Sequence, residues 1–167
     1  MKHLKRASLI LAMIALGACS QNGAGGFGGG FGGNSATDAQ SDPSNPASPA
    51  YFQQSVGDRI FFAVDQSTVD ASAQVALNAQ AEWLVANPDY KVIIEGHADE
   101  RGTRDYNLAL GARRAGSVRE YLTLRGVSAD RIQTVSYGKE RPSELCSAES
   151  CYAMNRRGVT VLSNLSF

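Results

Sequence analysis

The chain is poor in the residues on which catalysis and metal binding most often rest: two histidines and three cysteines in 167 residues. Neither charge sign is in excess, with 16 Lys and Arg against 16 Asp and Glu. Each shortage excludes something. A balanced charge offers no polycationic surface to neutralise a row of phosphates, which argues against a nucleic-acid binder. The apolar run Ala7 to Ala18 has 12 residues, short of the roughly 20 needed to cross a bilayer, which argues against a multi-span membrane protein. There is no G-x-S-x-G nucleophile turn and no H-E-x-x-H helix, so the common hydrolase and zinc-protease constellations are missing. No internal repeat is present, which excludes solenoids and propellers.

What is there begins with a leader. Lys2, Lys5 and Arg6 precede the apolar run, and the run ends Leu16-Gly17-Ala18-Cys19. That layout predicts a secretory signal over residues 1–18, whose removal leaves thirteen basic residues against sixteen acidic ones. The junction resembles a lipoprotein lipobox. The resemblance implies that Cys19 becomes the first mature residue and carries acyl chains, and that Ser20 behind it directs the protein to the outer membrane. One acyl chain holds a protein to a membrane only marginally; two or three make the anchor stable.

From Ser20 to Ala50 the composition changes: 24 of 31 residues are Gly, Ala, Ser, Asn or Pro, and none is Leu, Ile, Val or Met. Such a stretch cannot build a core, so residues 19–50 are predicted to be a flexible tether with an average span of roughly 30 Å.

Apolar residues return at Tyr51 and continue to Phe167, enough chain for a two-layer domain over residues 51–167. Arg59–Val64 reads as a strand. Asp70 is a fitting N-cap for a helix with Ala73, Leu77, Ala81 and Leu84 on one face, ending at Asn87 before Pro88. Tyr90–Glu95 is a second strand, and Thr103 caps a long helix to about Leu124, with Ala115, Val118 and Leu122 inward and Gly126 as its left-handed stop. Strands follow at Ile132–Tyr137 and Val159–Leu162, with a short helical piece near Ala148–Arg156. The pattern predicts an α/β two-layer sandwich: a mixed sheet of about four strands, two long helices and a short third, with crossovers joining parallel neighbours.

Cys146 and Cys151 form an even pair in an exported chain and are expected to be disulfide-bonded. A clip closing six residues contributes only about 2 kcal/mol. A C-x-x-C redox motif has a different spacing, and zinc would require further ligands.

The chemistry concentrates in Glu95-Gly96-His97-Ala98-Asp99-Glu100-Arg101-Gly102-Thr103, followed by Tyr106-Asn107 and Arg113-Arg114-Ala115. This is a strand end, a loop and a helix start, where α/β folds place ligands. Asn107 and Arg114 are two helical turns apart and share a face, over which Asp99 can fold. A carboxylate beside a guanidinium and a carboxamide suits a zwitterion, with Arg gripping a carboxylate and Asp an ammonium. A capping network with surface salt bridges accounts for the same residues. His97 and Asp99, two residues apart, would make a dyad or half a metal site, but no nucleophile or further ligand accompanies them.

These motifs, with Ser136-Tyr137-Gly138-Lys139-Glu140 and Asn155-Arg156-Arg157, resemble the OmpA-like peptidoglycan-binding domain. The resemblance covers about Asp58 to Leu162 and, with the lipobox and tether, reaches a lipoprotein branch of that family. It implies a noncovalent binder of the diaminopimelate stem peptide of peptidoglycan that uses no cofactor and no catalysis. Asp99 would meet the ammonium and Arg114 the carboxylate, and Asn107 would support the pocket. Asp65, ending Phe62-Ala63-Val64-Asp65 where the family has a second aromatic, would contribute from the opposite wall. Asn155 and Arg157 belong to the closing motif and would line the same pocket. The family further implies a TolB-like periplasmic propeller as partner, within the Tol-Pal system that supports envelope integrity and cell division. The rival reading is a periplasmic peptidoglycan hydrolase or amidase built on His97.

Overall fold

A computed structural model describes residues 40–163; the predicted signal, Cys19 and the Gly-rich part of the linker lie outside them. Among the described residues the order is α1 (Pro49–Tyr51), β1 (Arg59–Phe61), α2 (Ala71–Ala86), β2 (Lys91–His97), α3 (Arg104–Leu124), β3 (Ile132–Gly138), α4 (Glu149–Asn155) and β4 (Arg157–Ser163). A π-helical turn, Phe52–Gly57, continues α1.

Local signals set the helix ends. The Asp70 carboxylate accepts from the Ala73 amide at the start of α2, and the Thr103 hydroxyl accepts from the Tyr106 amide at the start of α3. Gly126 has φ +98° just beyond α3, a conformation that costs glycine nothing. The inward positions Leu77, Leu84, Val118 and Leu122 pack with Val92 and Ile94 of β2 and with Ile60 and Phe62. Strand β2 alternates buried and half-buried residues, so α2 and α3 cover one face of the sheet. The two-layer α/β sandwich is thus as expected.

The sheet order is β1-β4-β2-β3. β2 and β3 are parallel neighbours, as a crossover through α3 predicts. β1 and β2 are not neighbours, against the simplest reading of the first crossover: β4 inserts between them, antiparallel to both. Strand β1 also stops at Phe61 and not at Val64; Phe62 to Gln66 leave the sheet and enter the site described below.

Two glycines let α3 lie on the sheet at backbone distance. A Cβ at Gly96 would stand 1.9 Å from the Gly111 carbonyl oxygen, and one at Gly111 would stand 2.4 Å from Ser136 Oγ. The start of α3 is therefore drawn in against the ends of β2 and β3.

Packing begins before Tyr51. The Trp83 indole donates to the Pro46 carbonyl (2.7 Å), the Tyr90 hydroxyl donates to the Ala47 carbonyl (3.0 Å), and buried Ser48 caps α1 by accepting from the Tyr51 amide. The Phe52 ring lies 4.8 Å from that of Trp83. The Cys146–Cys151 disulfide is formed, with 5.8 Å between the Cα atoms, and braces the loop before α4.

Candidate functional site

A cleft of about 320 Å³ opens where β2 ends and α3 begins, lined on its polar side by Asp65, Asp99, Arg101, Asn107, Arg114 and Arg156. Val64 and Leu110 supply an apolar wall, and Tyr106 stands at the rim. Four of the six residues expected to line the pocket meet here: Asp99, Arg114, Asn107 and Asp65.

Asp99 is 8% exposed. Its carboxylate accepts from the Arg101 amide (3.1 Å), from the Arg101 guanidinium (2.7 Å) and from Arg156 (3.2 Å). Burial opposes its ionisation, but these donors outweigh burial and hold the carboxyl below its ordinary value. Asn107, two helical turns before Arg114, is buried and donates to the Arg101 carbonyl (2.7 Å), fixing the loop that carries Asp99. On the opposite wall, Asp65 adopts φ +57°, in the left-handed region an aspartate tolerates better than most residues. Its carboxylate accepts from the Tyr106 hydroxyl.

Arg114 departs from the simple grip expected of it. It is fully buried, and its guanidinium donates to three backbone carbonyls: Gln66 (2.8 Å), His97 (2.8 Å) and Ala63 (3.1 Å). Burial, with the positive charge of Arg156 beside it, pushes its pKa down to about 10, which leaves it charged at neutral pH. It binds the β1 exit loop to the end of β2 and gives the cleft floor a positive charge.

Arg157 does not line the cleft. Successive residues of an extended strand point to opposite faces. Arg157 turns to the carbonyls of Asn155 and Arg141, while Arg156 points into the cleft and reaches Asp99, Glu149 and the Phe62 carbonyl. Asn155 is absent from the lining too: its amide accepts from the Ser143 and Glu144 amides and donates to the Glu144 carbonyl, pinning that loop. The residues that sequence reasoning missed are Arg156 and Arg101, both inside quoted motifs.

His97 and Asp99 do not form a dyad. The β2–β3 register shifts between Gly96 and His97, and His97, 1% exposed, places Nε2 3.4 Å from the Glu95 carboxylate and its ring against Tyr137. Desolvation, helped by the positive charge of Arg157, lowers its pKa to about 4, so it is neutral at pH 7. Among the described residues no group of His, Cys, Asp and Glu could hold a metal ion.

The cleft therefore combines three guanidinium groups with two carboxylates around a small apolar wall. Such a balance matches a compact ligand bearing carboxylates and an ammonium, with a slight excess of negative charge.

The fold is a two-layer α/β domain with a charged cleft at the end of β2, and the sequence profile of the OmpA family matches residues 61–156. The chain belongs to the OmpA family. It is 58% identical over 111 residues to the peptidoglycan-associated lipoprotein of Rhizobium meliloti (strain 1021), a match covering 66% of this chain and 63% of that one. It is 57% identical over 111 residues to the protein of the same name from Brucella melitensis, covering 66% of each. The match thus spans just under two thirds of these relatives' length. Among solved structures, the peptidoglycan-associated lipoprotein from Burkholderia pseudomallei is similar with a TM-score of 0.64 at 38% identity, over 73% of this chain and all of that one. The C-terminal domain of Helicobacter pylori MotB shares the fold, with a TM-score of 0.60 at 18% identity, over 64% of this chain and 84% of that one.

Proposed function

We propose that this protein is an outer-membrane lipoprotein that binds peptidoglycan noncovalently through its diaminopimelate stem peptide and so tethers the outer membrane to the wall. The observation that carries the reading is the convergence of Asp65, Asp99, Arg101, Arg114 and Arg156 in one cleft at the end of β2, in a chain of this family. Diaminopimelate ends in an ammonium and a carboxylate on one carbon. In the proposed complex the ammonium exchanges with part of the Asp99 ion pairing, and the carboxylate meets the guanidinium groups freed on that side. Asp65 and Tyr106 close the opposite wall, and Val64 and Leu110 take the alkyl chain. Recognition of this kind replaces several water hydrogen bonds at once, so truncating one charged contact costs about 2 to 5 kcal/mol.

Acylated Cys19 supplies the membrane end and the linker supplies reach. Many weak sites along one polymer hold through multivalency. A TolB-like propeller sharing this surface would compete with the wall, which fits a role in envelope integrity and cell division. In this reading the protein acts by binding, without turnover.

Calorimetric titration of the full chain with a diaminopimelate-containing stem peptide tests the reading, with wild type beside Asp99→Asn and Asp65→Asn. The expected result is binding by the wild type, weakened about tenfold or more in Asp99→Asn, with the peptide recovered intact. A wild type that does not bind, or an Asp99→Asn variant that binds equally well, overturns it.

A further inference from the structure

The residues around the disulfide touch the cleft at several points that the ligand contacts proposed above do not use. The Ser147 and Tyr152 hydroxyls both donate to the Glu100 carboxylate, each at 2.9 Å. The Arg101 guanidinium lies over the Tyr152 ring, 4.6 Å from its centre, and stands 3.4 Å from the Glu149 carboxylate. Glu149 also accepts from Arg156 at 2.8 Å. One carboxylate outside the cleft thus holds both guanidinium groups that pair with Asp99 inside it.

We propose that the segment clipped by Cys146–Cys151, acting through Glu149 and Tyr152 on Arg101, sets the cleft's preference for a stem peptide with a free carboxylate beside its terminal ammonium. The inference rests on the stem-peptide reading of the cleft. The Arg101 side chain is 44% exposed, and an arginine so exposed and otherwise unheld loses considerable rotamer freedom when a ligand fixes it. Stacking on Tyr152 and pairing on two sides remove that freedom before the ligand arrives. Glu149 has a second effect. Without it, Arg101 and Arg156 would both turn wholly to Asp99 and leave the position that a ligand carboxylate takes. By sharing them, Glu149 keeps the guanidinium groups placed for a carboxylate. The disulfide ties Ser147 to α4, so that Glu149 and Tyr152 keep this position. Glu149 and Tyr152 are positioning residues in this scheme.

The test is calorimetric titration of the full chain, in detergent, with two synthetic stem peptides that differ only in their terminal residue: diaminopimelate, or lysine, which lacks the extra carboxylate. The proteins are wild type, Glu149→Gln, Tyr152→Ala, Tyr152→Phe and the double variant Cys146→Ser/Cys151→Ser. Wild type should favour the diaminopimelate peptide by about tenfold. Glu149→Gln, Tyr152→Ala and the double cysteine variant should lose about fivefold for that peptide and bind the lysine peptide as wild type does, whereas Tyr152→Phe, which keeps the stacking ring, should retain most of the preference. The Glu149 side chain is 62% exposed, so its replacement leaves the fold intact and the reading does not depend on the cysteine variant. Variants that bind both peptides like wild type, or lose both equally, overturn the proposal while leaving the stem-peptide site standing. A wild type that binds neither peptide overturns the site and this proposal with it.

Discussion

At the scale of single residues, the two most buried titratable groups of the site have structural roles that solution measurements can separate from binding. Arg114 donates to three backbone carbonyls, of which that of Ala63 also accepts from the Gln66 amide. Truncating it removes a fully buried side chain and the donor to the buried His97 carbonyl, so Arg114→Ala should lose about 3 kcal/mol or more of stability in urea unfolding. A value within about 1 kcal/mol of wild type would show that water replaces the guanidinium freely. A binding defect in that variant therefore reports on the fold as well as on the ligand, and Asp99→Asn is the cleaner probe. His97 behaves oppositely. Its folded pKa of about 4 lies below its ordinary 6.5, so between those values the unfolded chain takes up a proton that the folded chain refuses. Stability contributed by the neutral ring is complete above pH 6.5 and declines as pH falls toward 4, by on the order of 2 kcal/mol across the window. The groups facing it are Glu95, Tyr137, Arg141 and Arg157. Unfolding midpoints from pH 7.5 to 4.5, for wild type and His97→Asn, should show a difference that shrinks as the pH falls. A constant difference would mean the ring stays neutral or solvated in both states.

At the scale of elements, α3 lies on β2 at backbone distance, and glycine alone permits it. A methyl group at Gly111 would overlap Ser136 Oγ and the Gly96 carbonyl oxygen. Gly111→Ala should therefore destabilise by about 2 to 3 kcal/mol despite alanine's better helix propensity, and it should widen the cleft by lifting the start of α3. A thermal melt unchanged from wild type would mean the helix can shift without cost. This contact was invisible in the sequence, because nothing local distinguishes Gly111 from Gly116, where an added Cβ would meet no other part of the domain within 4 Å. The ends of α2 and α3 were legible for the opposite reason: Asp70, Thr103 and Gly126 act on their own backbone, within a turn of where they stand. Strand order was legible only where the connection forces it. The β2–α3–β3 crossover makes parallel neighbours, but nothing in Arg157–Ser163 records that β4 pairs between β1 and β2. The choice between Arg156 and Arg157 failed at the same level, since two adjacent arginines exchange faces with a one-residue change in where the strand begins. Asp99, Asn107 and Arg114 were legible because helical spacing and a short loop fix them relative to one another.

At the scale of the whole molecule, the question is where the folded domain begins. Composition put the boundary at Tyr51, because Asp42 to Ala50 holds no large apolar residue. Composition does not register backbone acceptors, and it is the carbonyls of Pro46 and Ala47 that take hydrogen bonds from Trp83 and Tyr90. The segment meets the domain beside Tyr90, just before β2, whereas the cleft opens beyond His97, where β2 ends. A seven-residue strand separates the two by about 20 Å. In the proposed tether, the membrane-side chain therefore leaves from the end of β2 remote from the cleft, and a domain held by its linker can present the cleft to the wall. Tension along that line falls first on the Pro46 and Ala47 contacts. A chain beginning at Tyr51 lacks them, leaves the Trp83 indole N–H without its partner and removes the Ser48 cap from α1. It should be less stable than a chain beginning at Gln40 by about 2 kcal/mol, with a correspondingly lower melting temperature. Its affinity for the stem peptide should be unchanged, because the Pro46 and Ala47 carbonyls meet Trp83 and Tyr90 and not the residues that line the cleft. Equal stability of the two chains would place the start of the domain at Tyr51 and return the preceding residues to the tether. A loss of affinity in the shorter chain would instead mean that the two ends of β2 are coupled.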